Sequence, residues 1–463
     1  MKRQEESMKR DKTAQEERME NGKLIPLMLS LGIPTFIAQL INLLYNIVDR
    51  IYIGHISDCG TSALTGVGLC LPIITLVSAF ANLVGAGGAP LAAISLGKGE
   101  REQAEKILGN GAALLLFFSI GLMIIFYLAK TPFLYLFGAS DVTYPYANDY
   151  ICIYLIGTIF VLYAMGLNLF ITAQGQSKVA MISILLGAVS NIILDPILIF
   201  ILHLGIKGAA IATVVSQGIS AGFVVCFLHS RKSGIRLRLK NMRLDGTIVG
   251  KILSLGISPF IMATTESLIT ISYNSSMQRY GNDMYVGSIT IMQSVLQIIF
   301  APIQGFSQGV SPIVSYNYGA KKFDRCKKTC RTLITMTFLT GMFMSLFAII
   351  FPNVLTGLFT EDKDMIALCS RNLPIFVAGM TIFGIQSGAQ QCFMALGQVK
   401  QSLFFALFRK VILLIPLVLV LPIITGQATS IYYAEPISDG LSAICCFIVF
   451  LFTMKKLFVE KSS

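Results

Sequence analysis

The sequence predicts an all-α protein that crosses a membrane many times. Hydrophobic residues make up 54% of its 463 residues, charged residues make up only 13%, and the mean hydropathy is +0.73. Soluble domains carry roughly twice that charged fraction, so a soluble enzyme is excluded. About 20 apolar residues cross a bilayer as one helix, and the chain contains twelve runs of at least that length. The runs cover approximately residues 24–53, 63–95, 107–129, 149–172, 178–203, 206–229, 248–275, 285–315, 330–351, 367–393, 400–424 and 430–453.

The net charge of +12 is distributed unevenly along the chain. Basic residues gather in the N-terminal tail and in the segments 230–251 and 319–331, whereas the intervening loops carry acids such as Asp141 and Glu361. Lys and Arg favour the cytoplasmic side of a membrane. We therefore expect a plasma-membrane protein with both termini in the cytoplasm, whose basic segments contact anionic lipids and not nucleic acid.

The two halves of the chain repeat one another. LSLGIPTFI at 29–37 recurs as LSLGISPFI at 253–261, a shift of 224 residues, and 90–97 recurs at 312–319. Several matches at nearly one shift indicate a duplicated unit of six helices. Because six is even, both copies enter the membrane from the same side. The sequence thus predicts two parallel-repeat six-helix lobes around a central cavity.

This repeat divides the chain into five parts. The predicted parts are a solvated N-terminal tail (1–23), an N-lobe of helices 1–6 (24–229), a basic cytoplasmic linker (230–250), a C-lobe of helices 7–12 (251–455) and a C-terminal tail (456–463). The tail 1–23 has mixed charge and no apolar period, so we expect no packed structure there.

The fifth apolar run contains polar residues that need an explanation. Asn191 and Asp195 are four residues apart, so a helix places them on one face. Pro196 has no N–H, which frees the carbonyl of Ile192 to point towards a cation. Ionisable groups deep in a membrane usually face a bundle interior and mark an ion or proton path. A structural Asp bonded to a neighbouring helix is the alternative.

The first run carries a matching polar stripe. Gln39, Asn42, Asn46 and Asp49 are three, four and three residues apart, which is one helix face. Asp49, Asp195 and Thr213 fall at similar depths in the outer half of the membrane. Their oxygens suit Na⁺, and paired carboxylates equally suit a proton. The duplicated positions in the second half are Leu413, Leu417 and Tyr273, and this asymmetry favours a functional role.

These residues resemble a known family. NLLYNIVDRIYIG in span 1, NIILDP in span 5 and GIKGAAIAT in span 6 resemble the multidrug and toxic compound extrusion (MATE) transporters, above all the MepA-like and DinF-like bacterial branch. The resemblance implies export of amphipathic, often cationic compounds across the bacterial inner membrane in exchange for Na⁺ or H⁺, without a cofactor. It also implies a coupling-ion site at Asp49, Asn191, Asp195 and Thr213, with Tyr45 lining the same cavity. We expect Gln39, Asn42 and Asn46 of the polar stripe to line the cavity as well.

The second half departs from a related branch of the family. That branch has acids on spans 7 and 10; Glu266 matches the first, but no acid stands near 385–387. Glu266 is a candidate for attracting cationic substrates, with a structural role as the alternative. Glu435 and Asp439, four apart on span 12, are candidates for substrate contact. For Arg409 and Lys410 we expect snorkelling to the membrane surface.

Two other classes of function are weighed against export. A flippase for a lipid-linked glycan needs several basic residues at mid-membrane depth, and only Arg50, Arg409 and Lys410 qualify. A membrane-embedded transferase or protease needs a nucleophile with a base or a metal set, and no His or Cys spacing provides one, so we expect no catalytic residues. We expect a monomer, although no residue pattern sets the oligomeric state.

Overall fold

Helices form nearly all the regular structure in the residues that the computed structural model describes, which are 14–56, 60–137 and 139–459. Ten of these helical stretches are each long and apolar enough to cross a membrane, and two bent helix pairs bring the number of spans to twelve. Spans 1–6 are Leu24–Gly54, Gly60–Gly97, Arg101–Leu136, Tyr144–Ile156 with Thr158–Ala173, Ser177–Ile201 and Gly205–His229; spans 7–12 are Gly246–Tyr280, Asp283–Gly319, Phe323–Ile350, Lys363–Phe376 with Met380–Ala395, Val399–Thr425 and Ala434–Val459. The prediction of a twelve-span all-α membrane protein is confirmed.

Spans 4 and 10 bend at equivalent positions of the repeat. Span 4 turns by 60° and span 10 by 51°, next to Gly157 and Gly379, which are 222 residues apart. A Cβ at Gly157 would lie 2.5 Å from the side chain of Val214 on span 6, and a Cβ at Gly379 would lie 2.7 Å from Asp439 on span 12. Each bend therefore depends on a glycine that lets the broken span pack closely against the last span of its lobe.

The two lobes, spans 1–6 and spans 7–12, meet through reciprocal glycine contacts. A Cβ at Gly87 would lie 2.8 Å from the backbone N of Gly256, and a Cβ at Gly309 would lie 2.7 Å from Cα of Gly32. The repeat relates Gly32 to Gly256 and Gly87 to Gly309, so span 2 crosses span 7 as span 8 crosses span 1. This pairing is what a pseudo-twofold axis between two parallel repeats produces.

A second reciprocal pair lies further towards the ends of spans 2 and 8. A Cβ at Gly97 would lie 1.9 Å from the carbonyl oxygen of Tyr316, and one at Gly319 would lie 2.0 Å from that of Ile94. All these crossings lie in the half of the spans nearer the chain termini. The lobes are therefore closed against each other, backbone to backbone, on the side where the termini lie.

The N-terminal helix, Ala14–Asn21, corrects the expectation of a solvated tail. Met19 is fully buried and Glu16 is 6% exposed. Glu16 pairs with Arg101 at 3.5 Å and Glu20 pairs with Lys322 at 2.9 Å. The mixed charge that indicated a solvated segment is instead matched by Arg101 at the start of span 3 and by Lys322 just before span 9. Residues 1–13 lie outside the described part of the chain.

The basic segment between the lobes packs against span 3 of the first lobe. It contains a short 3₁₀ turn, Leu239–Met242, and Arg238 pairs with Glu105 on span 3 at 3.0 Å. The backbone N–H of Asp245 donates to Oδ1 of Asn110 at 2.7 Å, and the Asp245 side chain caps span 7 by accepting from Thr247 N–H at 2.8 Å. These contacts set the position at which the second lobe begins.

Candidate functional site

Three spans bring the predicted polar residues of the first lobe together. Span 1 supplies Asp49, span 5 supplies Asn191 and Asp195, and span 6 supplies Thr213. Asn191 and Asp195 are fully buried, Thr213 is 5% exposed and Asp49 is 8% exposed. Asp49 lies close enough to Asp195 for the two carboxylates to repel each other when both are ionised. Four polar groups from distant parts of the sequence thus form one buried cluster, called here the N-lobe cluster.

The N-lobe cluster has more acceptor oxygens than donors. The amide of Asn191 donates to Oδ1 of Asp195 at 3.4 Å, which places the two side chains on one face as their spacing predicts. Within the described part of the chain, four buried oxygens of the cluster have no hydrogen-bond partner. They are Oδ1 of Asp49, Oδ1 of Asn191, Oδ2 of Asp195 and Oγ1 of Thr213. Buried polar atoms are rarely left unpaired, so this set of hard oxygens suits a small cation or a proton.

Tyrosines surround the N-lobe cluster. The hydroxyl groups of Tyr45 on span 1 and Tyr150 on span 4 lie close to Asp49 and Thr213. The ring of Tyr150 stacks on Tyr154, one turn further along span 4, with centroids 6.3 Å apart. Tyr45 is predicted from the sequence, whereas the span 4 tyrosines are not. The sequence feature that indicates them is their spacing, because Tyr150 and Tyr154 are four residues apart on a span that otherwise contains mainly apolar residues.

The backbone of span 5 changes at the proline beside the cluster. The α-helical part ends at Pro196, and residues Ile197–Ile201 form a π-helical turn. Proline removes one N–H from the helical ladder, and π turns frequently occur at functional sites. Irregular backbone thus begins two residues after Asp195. The role predicted for the carbonyl of Ile192 stays a prediction.

The other residues of the polar stripe on span 1 lie outside the N-lobe cluster. Gln39 donates to Oε1 of Gln308 on span 8 at 3.2 Å, so it bridges the two lobes. Asn46 is exposed and donates to its own helix at the carbonyl of Asn42, 2.7 Å away. The central cavity described next is not lined by Gln39, Asn42, Asn46 or Tyr45 within the described residues. The stripe therefore separates into a cluster residue, Asp49, and groups at the lobe interface or on the surface.

The central cavity lies between the lobes and has a volume of about 400 Å³. The first lobe contributes small residues of spans 2 and 4, such as Ala86 and Ala173, and the second lobe contributes most of the wall. Of the acidic candidates in the second lobe, Glu266 and Glu435 line the cavity and Asp439 does not. Asp439 is fully buried behind the wall. This volume is in the range of pockets that bind drug-sized molecules.

Arg409 corrects the expectation of snorkelling. Its side chain is 10% exposed, and its Nε lies 2.5 Å from Oδ1 of Asp439 while its Nη2 lies 3.1 Å from Oε1 of Glu435. The hydroxyl of Tyr273 donates to the other oxygen of Glu435 at 2.7 Å. A charge this deep is retained because two carboxylates and the ring of Phe383, 4.2 Å from the guanidinium, surround it.

Lys410 is also buried, and it faces the cavity. Its ammonium pairs with the carboxylate of Glu266 on span 7 and donates to the carbonyl of Met262 at 2.9 Å. The Glu266 side chain is 60% exposed, whereas that of Lys410 is 10% exposed. Arg409 and Lys410 belong to a π-helical stretch, Phe408–Leu414. Both acidic groups on the cavity wall, Glu266 and Glu435, are therefore already paired with a basic side chain.

Glutamines form a further polar part of the cavity wall, and none of those on span 8 is among the residues predicted from the sequence. Four of them on span 8 line the cavity: Gln293, Gln297, Gln304 and Gln308. Their spacing of four, seven and four places them on one helix face, and this spacing is a signal that the sequence contains. Gln308 donates to Gln304 at 3.1 Å. The cavity thus presents amide groups beside its ion pairs.

The fold and these two sites define a multi-pass membrane protein with the two-lobed architecture of solute transporters. Residues 34–197 and again residues 259–420 match the MatE family, once in each lobe. The chain belongs to the MatE family, and the resemblance seen in the sequence is confirmed.

The similarity to known proteins extends over nearly the whole chain. The multidrug export protein MepA of Staphylococcus haemolyticus (strain JCSC1435) is 25% identical over 448 residues, which is 96% of this chain and 97% of that protein. MepA of Staphylococcus aureus (strain MSSA476) is 24% identical over 447 residues, with the same coverage. A crystal structure of a MATE protein in the bent conformation has a TM-score of 0.91 and 21% identity, and covers 98% of this chain and 100% of that chain. The structural likeness shows the fold.

Proposed function

We propose that this protein is a secondary multidrug efflux antiporter of the bacterial inner membrane. It exports amphipathic, often cationic compounds in exchange for Na⁺ or H⁺, with both termini in the cytoplasm. The observation that carries the proposal is the N-lobe cluster, where four buried oxygens lack hydrogen-bond partners and two carboxylates repel each other when both are ionised. The names of the MepA relatives and the membership of the MatE family support export as the activity.

The N-lobe cluster supplies the binding site for the coupling ion. Asp49, Asn191, Asp195 and Thr213 provide carboxylate, amide and hydroxyl oxygens, which are suitable ligands for Na⁺. A proton is equally suitable, because protonation of one carboxylate relieves the repulsion between Asp49 and Asp195. In either case the ion binds one arrangement of the lobes better than the other, and that difference in affinity couples the ion to transport.

The glycine contacts between the lobes support a transport state that is closed towards the cytoplasm. The lobes touch in the half of the membrane nearer the termini, at Gly87 and Gly256 and at their counterparts Gly309 and Gly32. With the termini in the cytoplasm, this arrangement is closed to the inside, and rocking of the lobes about the cavity would open it.

The flippase alternative is weaker than export. It requires free basic groups in the cavity, and Arg409 and Lys410 are both paired with carboxylates. No observation on the second lobe favours a pyrophosphate substrate over the proposal.

Efflux measurements test the proposal. Cells that express the chain are loaded with ethidium, a fixed cation, or with rhodamine B, a zwitterion, and dye export is followed while the Na⁺ and pH gradients are varied separately. We expect energy-dependent export of at least one dye, dependence on one gradient, and loss of export in Asp195→Asn at equal abundance in the membrane. Asp141→Asn, which makes the same change at an exposed position, is the control. Export by Asp195→Asn at the wild-type rate would refute the coupling role.

A further inference from the structure

Two ion pairs of the second lobe start from neighbouring residues but face different environments. The pair of Arg409 with Asp439 is enclosed, with side chains 10% and 0% exposed. The pair of Lys410 with Glu266 opens onto the cavity, because the Glu266 side chain is 60% exposed. An ion pair whose only role is to hold two spans together would be enclosed, as the pair of Arg409 with Asp439 is. The second pair instead presents opposite charges at the surface that a substrate contacts.

Each carboxylate on the cavity wall is paired with a basic side chain of the protein itself. Glu266 pairs with Lys410, and Glu435 pairs with Arg409, which also holds Asp439 behind the wall. A ligand with a single positive charge can bind Glu266 only by displacing Lys410. The ammonium, which is 10% exposed, then loses its counter-ion in a poorly hydrated position, and stranding one member of such a pair is strongly unfavourable.

A ligand that carries both charges avoids this penalty. Its cationic group can bind Glu266 while its anionic group binds Lys410, so one ion pair is exchanged for two and no charge is left alone. The amides of Gln297 and Gln293, about one and two helical turns before the midpoint of span 8, line the same cavity and can hydrogen-bond further polar atoms of the ligand. The remaining wall is apolar, with Phe300 and Leu296 among its residues, and accommodates an aromatic or aliphatic body.

We propose that the Lys410–Glu266 ion pair selects zwitterionic amphipathic substrates over compounds with a fixed positive charge alone. This inference rests on the proposed export function and narrows its substrate class. Lys410 competes with cationic ligands for the carboxylate of Glu266. When the ligand itself carries a carboxylate, Lys410 binds that group. Selectivity therefore depends on Lys410 and Glu266 and not on the coupling residues of the first lobe.

Binding of two matched dyes to purified protein tests the inference without requiring transport. Rhodamine B carries a carboxylate at neutral pH, and its ethyl ester has the same ring system without that negative charge. Fluorescence anisotropy in detergent at pH 7.5 gives the Kd of each dye. We expect the wild-type protein to bind rhodamine B at least tenfold more tightly than the ester. Equal binding, tighter binding of the ester, or no binding of either dye overturns the inference.

Variants of the pair separate recognition from bracing. Lys410→Gln frees Glu266, so we expect the preference to reverse in favour of the ester. If the ion pair also braces spans 7 and 11, Lys410→Gln destabilises the protein, and a loss of binding then has two explanations. The charge exchange Glu266→Lys/Lys410→Glu is therefore made as well. It restores an ion pair in the opposite direction and should keep the preference for rhodamine B. A loss of affinity that is the same for both dyes in every variant indicates bracing and overturns the inference.

The outcomes remain distinct from those of the efflux test. A wild-type protein that prefers rhodamine B in the binding assay but exports neither dye contradicts the proposed function and leaves the selectivity in place. A protein that exports ethidium and binds the ester as tightly as rhodamine B contradicts the selectivity and leaves the export function in place.

Discussion

Arg409 donates from Nε to Oδ1 of Asp439 across 2.5 Å, in a region of the second lobe where Asp439 is fully buried. The same guanidinium reaches Glu435 at 3.1 Å, and Glu435 accepts from Tyr273 on span 7. Spans 7, 11 and 12 are thereby joined by one polar network. Such a network stabilises the lobe only while each member keeps its partners, because an unpaired buried charge is costly.

Arg409→Met should strongly destabilise the protein. The variant leaves Asp439 and Glu435 without their cation, and removing one partner of a buried pair costs about 3 kcal/mol or more. Thermal unfolding of the detergent-purified protein, followed by the fluorescence of a thiol-reactive dye, measures the effect. Arg371→Met removes an exposed arginine of span 10 and should leave the Tm close to that of the wild type. If the two variants had equal Tm values, the network would have no structural importance.

The coupling ion should stabilise the folded protein through the N-lobe cluster. Either added Na⁺ or a fall in pH from 8 to 6 should raise the Tm, because each supplies a positive charge between Asp49 and Asp195. A ligand at about 100 times its Kd stabilises the folded state by about 2.7 kcal/mol. Comparing the Tm in NaCl with that in KCl, and separately across pH, identifies which ion binds.

The variant Asp195→Asn provides the control for this measurement. It keeps the shape of the side chain and removes the repulsion with Asp49, so its Tm should be independent of Na⁺ and should change less with pH. Asp141→Asn should respond as the wild type does. A Tm of Asp195→Asn that still rises with the same ion would place the ion site elsewhere.

Gly256→Ala should impair export by separating the lobes on the side of the termini. A Cβ at Gly256 would lie 1.7 Å from the carbonyl oxygen of Leu83, whereas a Cβ at Gly250 on the same helix meets nothing within 4 Å. Both substitutions increase helix propensity by a similar amount, so Gly250→Ala is a matched control. We expect the rate of dye efflux to be at least fivefold lower for Gly256→Ala and unchanged for Gly250→Ala. Equal rates for the two variants would show that this contact does not affect transport.

The repeated features of the fold could be predicted from the sequence because they depend on local pattern. Apolar runs locate twelve spans, and matches such as 29–37 with 253–261 establish the duplication. The spacing of Asn191 and Asp195 predicts one face, and the hydrogen bond between them confirms it. The bends of spans 4 and 10 could not be predicted, because hydropathy is insensitive to the direction of a helix.

The pairing of charges could not be predicted for a different reason. Lys410 and Glu266 are separated by 144 residues, and their contact depends on how spans 7 and 11 pack. Taken singly, a lysine near a span end fits snorkelling as well as it fits a buried pair. The same limitation applies to the N-terminal helix, because the groups that pair with its charges belong to both lobes, among them Arg101 and Lys322.

The N-terminal helix should hold the two lobes together on the side of the termini. Gln15 donates to the carbonyl of Gly175 in the first lobe. In the second lobe, Asn317 and Arg325 both donate to the carbonyl of Met19, at 3.0 and 3.1 Å. Removing residues 1–21 deletes these bridges, whereas removing residues 1–13 leaves every one of them in place. The shorter deletion is therefore a matched control for the longer one.

The longer deletion should favour opening of the cavity towards the cytoplasm. Ser311 lines the cavity and is 6% exposed, so a cysteine at this position, in a background without other cysteines, reports on access. Inside-out membrane vesicles are treated with a membrane-impermeant maleimide. Loss of residues 1–21 should increase the labelling rate severalfold, because opening no longer breaks the contacts of Met19 and Glu20 with the second lobe. The deletion of 1–13 should label at the rate of the full chain, and equal rates for both deletions would show that the helix does not resist opening.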